Sequence, residues 1–313
     1  MNKNPEIGTS KIARLTAIGI LIVGLAAWSC GRQKPAETQQ DEKSSLRTTA
    51  AAKSPAKAMV TVKGSDTMVH LVSTWAEAYM KANPDTELSV TGGGSGTGIA
   101  ALLNGTTDIC AASREINEKE KKQAEKNKIQ PTEVFVARDG IAVIVNAQNP
   151  VNTLTMEQIK KLYVGAYTKW SQVGGPDERV ILLSRESSSG TYMFFQEHVL
   201  EKADYAQSVR LMPATSAIIQ EVSANKSAIG YAGLGYAAEA KGKVKMLEVK
   251  ARDDAPATAP SEETVKAGTY PISRKLYFYV NGTPTGAVKA FLDFCLSDAG
   301  QKIVRETGYV TVK

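Results

Sequence analysis

The sequence predicts an α/β protein of two lobes, on three observations. Short strand-like runs alternate with helix-like runs from Met59 onward. Three of the strand-to-helix junctions are loops of Gly, Ser and Thr. Two apolar runs, Ile141 to Asn146 and Tyr277 to Asn281, stand far apart in the chain and are expected to cross between the lobes. With 42% apolar and 22% charged residues among 313, the composition is that of a globular chain with length for about two domains.

The N-terminus reads as an export segment. Lys3, Lys11 and Arg14 precede the apolar run Leu15 to Trp28, which is short for a bilayer span. Residues 1–29 are therefore expected to be a signal peptide. The run ends in Ala26-Ala27-Trp28-Ser29-Cys30-Gly31, and a Cys behind small residues resembles a bacterial lipobox, whose Cys is lipidated after cleavage. Trp28 is untypical of that motif, so export with an unmodified Cys30 is the alternative. Residues 30–58 are rich in Ala, Ser, Thr, Lys, Gln and Glu, and bury too little apolar surface to fold, so they read as a flexible tether.

The first lobe opens with a strand at 59–63, a helix at 67–82, a strand at 87–91 and a helix at 97–104. A short strand from Thr107 to Ala112 and a charged, exposed helix from Glu115 to Lys128 follow. Val134 to Ala137 and Gly140 to Asn146 are apolar and β-branched, as a buried strand requires. In the second unit a helix runs from Thr155 to Tyr163, with a turn from Val164 to Trp170. A strand, Val180 to Leu183, leads into a loop at Arg185. Helices at 191–200 and 216–223, and strands at 228–232, 244–249 and 277–280, come next. The last helices, 284–297 and 300–306, fit a return to the first lobe. The expected lobes are 59–146 plus 279–313, and 147–278.

The three Gly/Ser/Thr loops carry the chemistry. They are Gly64-Ser65-Asp66-Thr67-Met68, Gly92 to Gly98, and Ser184 to Thr191 with Arg185 inside it. Each follows a strand and opens a helix. A helix N-terminus presents unpaired N–H groups and partial positive charge. Hydroxyls and a guanidinium beside it suit an anion. The same Ser and Thr residues also serve as plain helix caps. In open α/β sheets ligands sit at the carboxyl ends of strands, where all three loops fall.

Composition narrows the alternatives. The formal charge of +6 is mild, and no Lys/Arg cluster is interleaved with aromatics, which argues against nucleic acid. No G-x-S-x-G elbow occurs, and His70 and His198 lack a triad context, which argues against a hydrolase. The Gly92 to Gly98 loop lacks the Lys-Ser/Thr of a P-loop. Without a CxxC pair and with two histidines, no zinc site or other metal site is expected, and no cofactor. Cys110 and Cys295 lie in apolar runs and read as small buried hydrophobes and free thiols, although two cysteines in an oxidising compartment could pair.

From Met59 to the C-terminus the chain resembles the phosphate-binding proteins of bacterial high-affinity phosphate ABC transporters. The segments that carry the resemblance are Gly64-Ser65-Asp66-Thr67, Gly92 to Gly98, Asp108 to Arg114, Asp139 to Asn146, Gly165 to Trp170 and Arg185 to Thr191. The resemblance implies a two-lobed periplasmic binding protein fold with two crossing hinge strands, closing on phosphate. It implies a monomer, export to the periplasm or the outer face of the cell membrane, a lipid anchor in many members, and ABC permease subunits in the inner membrane as partners. It implies no catalysis. Carried over by position, Ser65, Thr67 and Met68 contribute backbone N–H groups and the Thr67 hydroxyl, and Ser95 an N–H and a hydroxyl. Arg185 supplies the charge-assisted pair, and Ser189, Gly190 and Thr191 complete the donors.

One position departs from that pattern. Many members carry Asp after the Ala-Ser pair, where this chain has Arg114, as some relatives do. A carboxylate there accepts the phosphate proton and repels sulfate, which has none. Arg114 instead adds positive charge, or is a salt-bridged surface residue. Asp139, beside Gly140 at the hinge strand, is then the first candidate for proton acceptor, and Asp66 the second, with a helix-cap role as its alternative. The same scaffold serves other oxyanions, so sulfate, molybdate and tungstate remain as alternatives to phosphate, and a phosphate-ester hydrolase as a more distant one.

Overall fold

Strand β1 (Ala58–Gly64) runs into a 3-10 turn and then α1 (Val69–Ala82), whose Leu71, Val72, Trp75, Ala76 and Tyr79 form the buried stripe that their spacing requires. The computed structural model describes residues 57–312. The expected signal segment, Cys30 and nearly all of the tether lie outside the described residues. The chain continues through β2 (Thr86–Thr91), α2 (Ser95–Leu103), β3 (Ile109–Ala112), α3 (Glu118–Lys126) and the long β4 (Pro131–Asn146). Then come β5 (Thr153–Thr155), α4 (Met156–Tyr163), β6 (Ile181–Arg185), α5 (Gly190–His198), β7 (Arg210–Met212), α6 (Thr215–Ala224), β8 (Ala228–Gly233) and α7 (Leu234–Glu239). The last elements are β9 (Val244–Met246), β10 (Glu248–Lys250), β11 (Ala257–Thr258), α8 (Glu262–Lys266), β12 (Ser273–Asn281), α9 (Gly286–Leu296) and α10 (Asp298–Glu306).

One sheet runs β2-β1-β3-β12-β4-β8-β6-β7, with β9 also on β4, and a small sheet runs β11-β10-β5. The outer pairs β1·β2, β1·β3, β6·β8 and β6·β7 are parallel, and the central pairs that include β12 or β4 are antiparallel. Strand β4 changes partner within its length: residues up to Gly140 face β12, and Ile141 to Val145 face β8. The cores change with it. Val136, Ala137, Leu276, Phe278 and Val280 pack with Trp75, Tyr79 and Phe291. Ile141, Val143, Val145 and Ile272 pack instead with Tyr163, Trp170, Phe195 and Tyr231. The strands therefore pass from one core to the other at 138–140 and 273–275, upstream of the runs expected to do so. Cys110 and Cys295 are buried free thiols, pushed up in pKa by burial.

Three local expectations are corrected. Val244 to Val249 is two strands in two sheets, because Leu247 turns into the core between them. Arg185 ends strand β6 rather than lying in the loop beyond it. Helices α7 and α8 and the short β5, β7 and β11 have no strong periodic pattern and were not anticipated. Among the described residues no helix is long and apolar enough to cross a membrane.

Candidate anion-binding site

The three Gly/Ser/Thr loops meet. Gly64, at φ 148, lies so near β3 that a Cβ there would stand 2.0 Å from the Ala111 carbonyl oxygen. That close approach brings Ser65 to the carboxyl end of β3, where its hydroxyl donates to Ser113 Oγ at 3.0 Å. Ser95 opens α2 and stands on the same serine, 3.2 Å between hydroxyls, while its oxygen accepts the Ser113 N–H at 3.0 Å. The third loop arrives from the other core. Ser188 O accepts the Gly96 N–H at 3.0 Å. Thr191 Oγ1 lies 2.8 Å from Thr67 Oγ1, across 124 residues of sequence. Gly190 sits where a Cβ would be 2.3 Å from Ser95 Oγ. Ser65, Thr67, Ser95, Ser113, Ser189 and Thr191 are all buried, so hydroxyl groups from both cores form one buried cluster.

One arginine, Arg274, touches this cluster, and a second, Arg185, ends β6 ahead of the third loop. Arg185 is 2% exposed. Its Nη1 donates to Asp66 Oδ2 and to Thr215 Oγ1, both at 2.9 Å, its Nη2 to the Pro213 carbonyl and its Nε to the Met212 carbonyl. Asp66 also accepts the Thr215 N–H and hydroxyl, so this carboxylate ties the first loop to α6. Arg274, on β12, reaches Asp139 Oδ2 at 2.9 Å through Nη2, the Ser113 carbonyl at 3.0 Å through Nη1, and Thr191 Oγ1 at 3.0 Å. Asp139 is fully buried. Burial pushes its carboxyl above the usual carboxylate range, and Arg274 and the Leu234 N–H offset that rise only in part.

A model of the PBP superfamily domain matches residues 49–299. The phosphate-binding protein PstS of Staphylococcus haemolyticus is 36% identical over 255 residues, covering 79% of either chain. PstS of Pseudomonas aeruginosa is 33% identical over 264 residues, 79% of this chain and 81% of its own. The chain belongs to this family. Among solved structures, a phosphate ABC transporter substrate-binding protein of Clostridium perfringens with bound phosphate superposes at a TM-score of 0.73, with 32% identity, over 82% of this chain and 100% of its own. An ABC-type phosphate transport receptor of Vibrio cholerae does so at 0.65, with 29% identity, over 80% of this chain and 99% of its own. The two-lobed α/β fold expected from the sequence is thus the fold of the family.

Within that fold the residues anticipated from the sequence divide into those in the cluster and those outside it. Ser65, Thr67, Ser95, Gly190 and Thr191 converge. Ser189 joins them as the cap of α5, accepting the Thr191 and Tyr192 N–H groups. The Met68 side chain points into the first core, and its N–H donates to the Ser65 carbonyl. Arg114 is buried but forks onto Glu120, at 2.7 and 2.8 Å, and donates to the Glu115 carbonyl. Its Nη2 would lie 3.7 Å from a Cβ at Gly96, in the first turn of α2. Asp139 faces Arg274, not the neighbouring Arg138 or Arg114. Ser113, Thr215 and Arg274 went unanticipated. Ser113 stands at a strand end, where the carboxyl-end rule points. Arg274 has no such signal, since a single Arg between Ser273 and Lys275 reads as surface. The cavity beside the site, about 440 Å³, opens between α2, α3 and Ser187 and is lined by Ile99, Leu103, Arg114 and Met193.

Proposed function

We propose that this chain captures inorganic phosphate outside the cytoplasm and delivers it to the permease of an ABC transporter. The observation that carries the reading is the convergence of Thr67, Ser95 and Thr191 with Arg274 at the starts of α2 and α5, where a Gly190 Cβ would meet Ser95. A small tetrahedral oxyanion matches that donor set, because hydroxyls, helix-start N–H groups and guanidinium forks all donate to it. The relatives' names and the phosphate-bound Clostridium perfringens structure support the choice of oxyanion. In this reading Ser65, Thr67, Ser95, Arg185, Ser189, Gly190 and Thr191 are the donors, and Asp139 accepts the phosphate proton. The two cores are lobes that close about the strand segments near Gly140 and Arg274. The protein is a monomeric carrier, not an enzyme, and is held at the membrane by lipid on Cys30.

Titration calorimetry with phosphate, with sulfate as competitor, tests the reading. Phosphate binding that sulfate at large excess leaves intact is expected. Preference for sulfate, molybdate or tungstate would assign the scaffold to another oxyanion, and turnover of a phosphate ester without added metal would make it a hydrolase.

A further inference from the structure

Building on the phosphate reading, we propose that Arg274 is the positioning residue that sets oxyanion selectivity. By holding Asp139 as a carboxylate, it makes the site accept an oxyanion that carries a proton and refuse one that does not.

The two residues are cross-strand partners, Arg274 on β12 opposite Asp139 on β4, at the passage between the cores. Their side chains are 2% and 0% exposed. Asp139 Oδ2 takes Arg274 Nη2 at 2.9 Å and Nε at 3.3 Å, and Oδ1 takes the Leu234 N–H at 3.1 Å. A carboxylate offers about four acceptor positions, so one remains for a P–O–H group. The same guanidinium reaches Thr191 Oγ1 at 3.0 Å and lies over the Phe194 ring, 5.5 Å from its centroid. Arg274 thereby links the acceptor to the hydroxyl cluster. Gly233 allows the close approach of β8, since a Cβ there would meet both Asp139 oxygens at 3.2 Å and the Thr67 methyl at 2.9 Å.

The groups facing Asp139 from the surrounding elements are Arg274 on β12, Tyr270 before it and Tyr309 after α10. Both tyrosines are pushed up by burial and stay neutral. Tyr270 donates to the Ile141 carbonyl and Tyr309 to the Thr67 carbonyl. Arg274 is thus the cation opposite the carboxylate. A carboxyl this deeply buried takes up a proton when its cation is removed. Protonated, it donates instead of accepting, and a donor suits sulfate as well as phosphate. The charge state of one residue therefore decides which anion the site rejects.

The test measures phosphate and sulfate affinities by calorimetry, from mildly acid to mildly alkaline pH, for wild type, Arg274→Lys, Arg274→Met and the double variant Asp139→Asn/Arg274→Met. Arg274→Lys keeps the charge and should keep the preference for phosphate. Arg274→Met should lose about tenfold or more of that preference, chiefly by gaining sulfate affinity, and regain part of it as pH rises and Asp139 ionises. The double variant should lose the preference at every pH. Thermal unfolding reports folding, and the double variant, a neutral pair, carries the test if Arg274→Met is unfolded. If both are unfolded, Arg274→Lys decides, because loss of preference with the charge kept overturns the inference. A wild-type preference and pH profile in Arg274→Met, or a preference kept in the double variant, also overturns it. Failure of the wild type to bind phosphate overturns the phosphate reading itself, which is a separate result.

Discussion

Gly190→Ala separates closure from folding. An alanine Cβ at this position would stand 2.3 Å from Ser95 Oγ, 2.7 Å from Ser113 Oγ and 2.9 Å from Ser95 Cβ. Restoring ordinary contact needs a shift of about 1 Å. The two serines have little room to yield. Both are 0% exposed, and Ser95 Oγ is bonded to the Ser113 backbone N–H. The loop at Gly190 must therefore part from the loop at Ser95, and these loops belong to different cores. Overpacking of this kind costs about 1–3 kcal/mol. If closure on phosphate needs that contact, affinity should fall about 5- to 150-fold. The substitution does not weaken α5 itself. Gly190 is its first residue and has no positive φ, and Ala exceeds Gly in helix propensity by about 1 kcal/mol. Calorimetry should show the weakened binding, and thermal unfolding without phosphate should show an unchanged or raised midpoint. Wild-type affinity would refute the argument that this contact belongs to the bound state. A large drop in the unliganded midpoint would refute the argument that it is dispensable for folding.

Arg185→Ala removes a buried cation that ties Asp66, Thr215 and the 212–213 backbone together, and phosphate affinity should fall by at least the 1.5–3 kcal/mol typical of a hydrogen bond to a charged group. Unchanged calorimetric affinity would remove Arg185 from the site. Phosphate should lower the radius of gyration in small-angle scattering, since a ligand contacted by both cores favours the closed arrangement. An identical scattering curve with saturating phosphate would point to a rigid site. Mass spectrometry of the mature protein should find an acylated Cys30 at the N-terminus, whereas a mature form without acyl chains would leave export without an anchor.

Much of the fold was legible because it is written locally. A strand, a Gly/Ser/Thr loop and a helix fit within about 15 residues. Accordingly β1 with α1, β2 with α2, and β6 with α5 appear where the sequence placed them, allowing for a residue or two at their ends. The loop hydroxyls, Arg185 and the apolar strand around Asp139 were visible for the same reason. What stayed hidden depends on register between distant segments. Asp139 and Arg274 are 135 residues apart, and no periodicity marks two single charges that meet on neighbouring strands. The pairing of Arg114 with Glu120 is local, at a separation of 6, but it forms only where α3 brings Glu120 to the end of β3. The passage between the cores falls at Gly140 because β4 exchanges β12 for β8 there, a choice made by partners and not by the strand's own residues. By itself the sequence determined that loops of Gly, Ser and Thr stand at three helix starts. Only the tertiary structure decided that they face one another and that a buried Arg–Asp pair stands among them, because burial, which gives that pair its chemistry, is a property of the packed molecule.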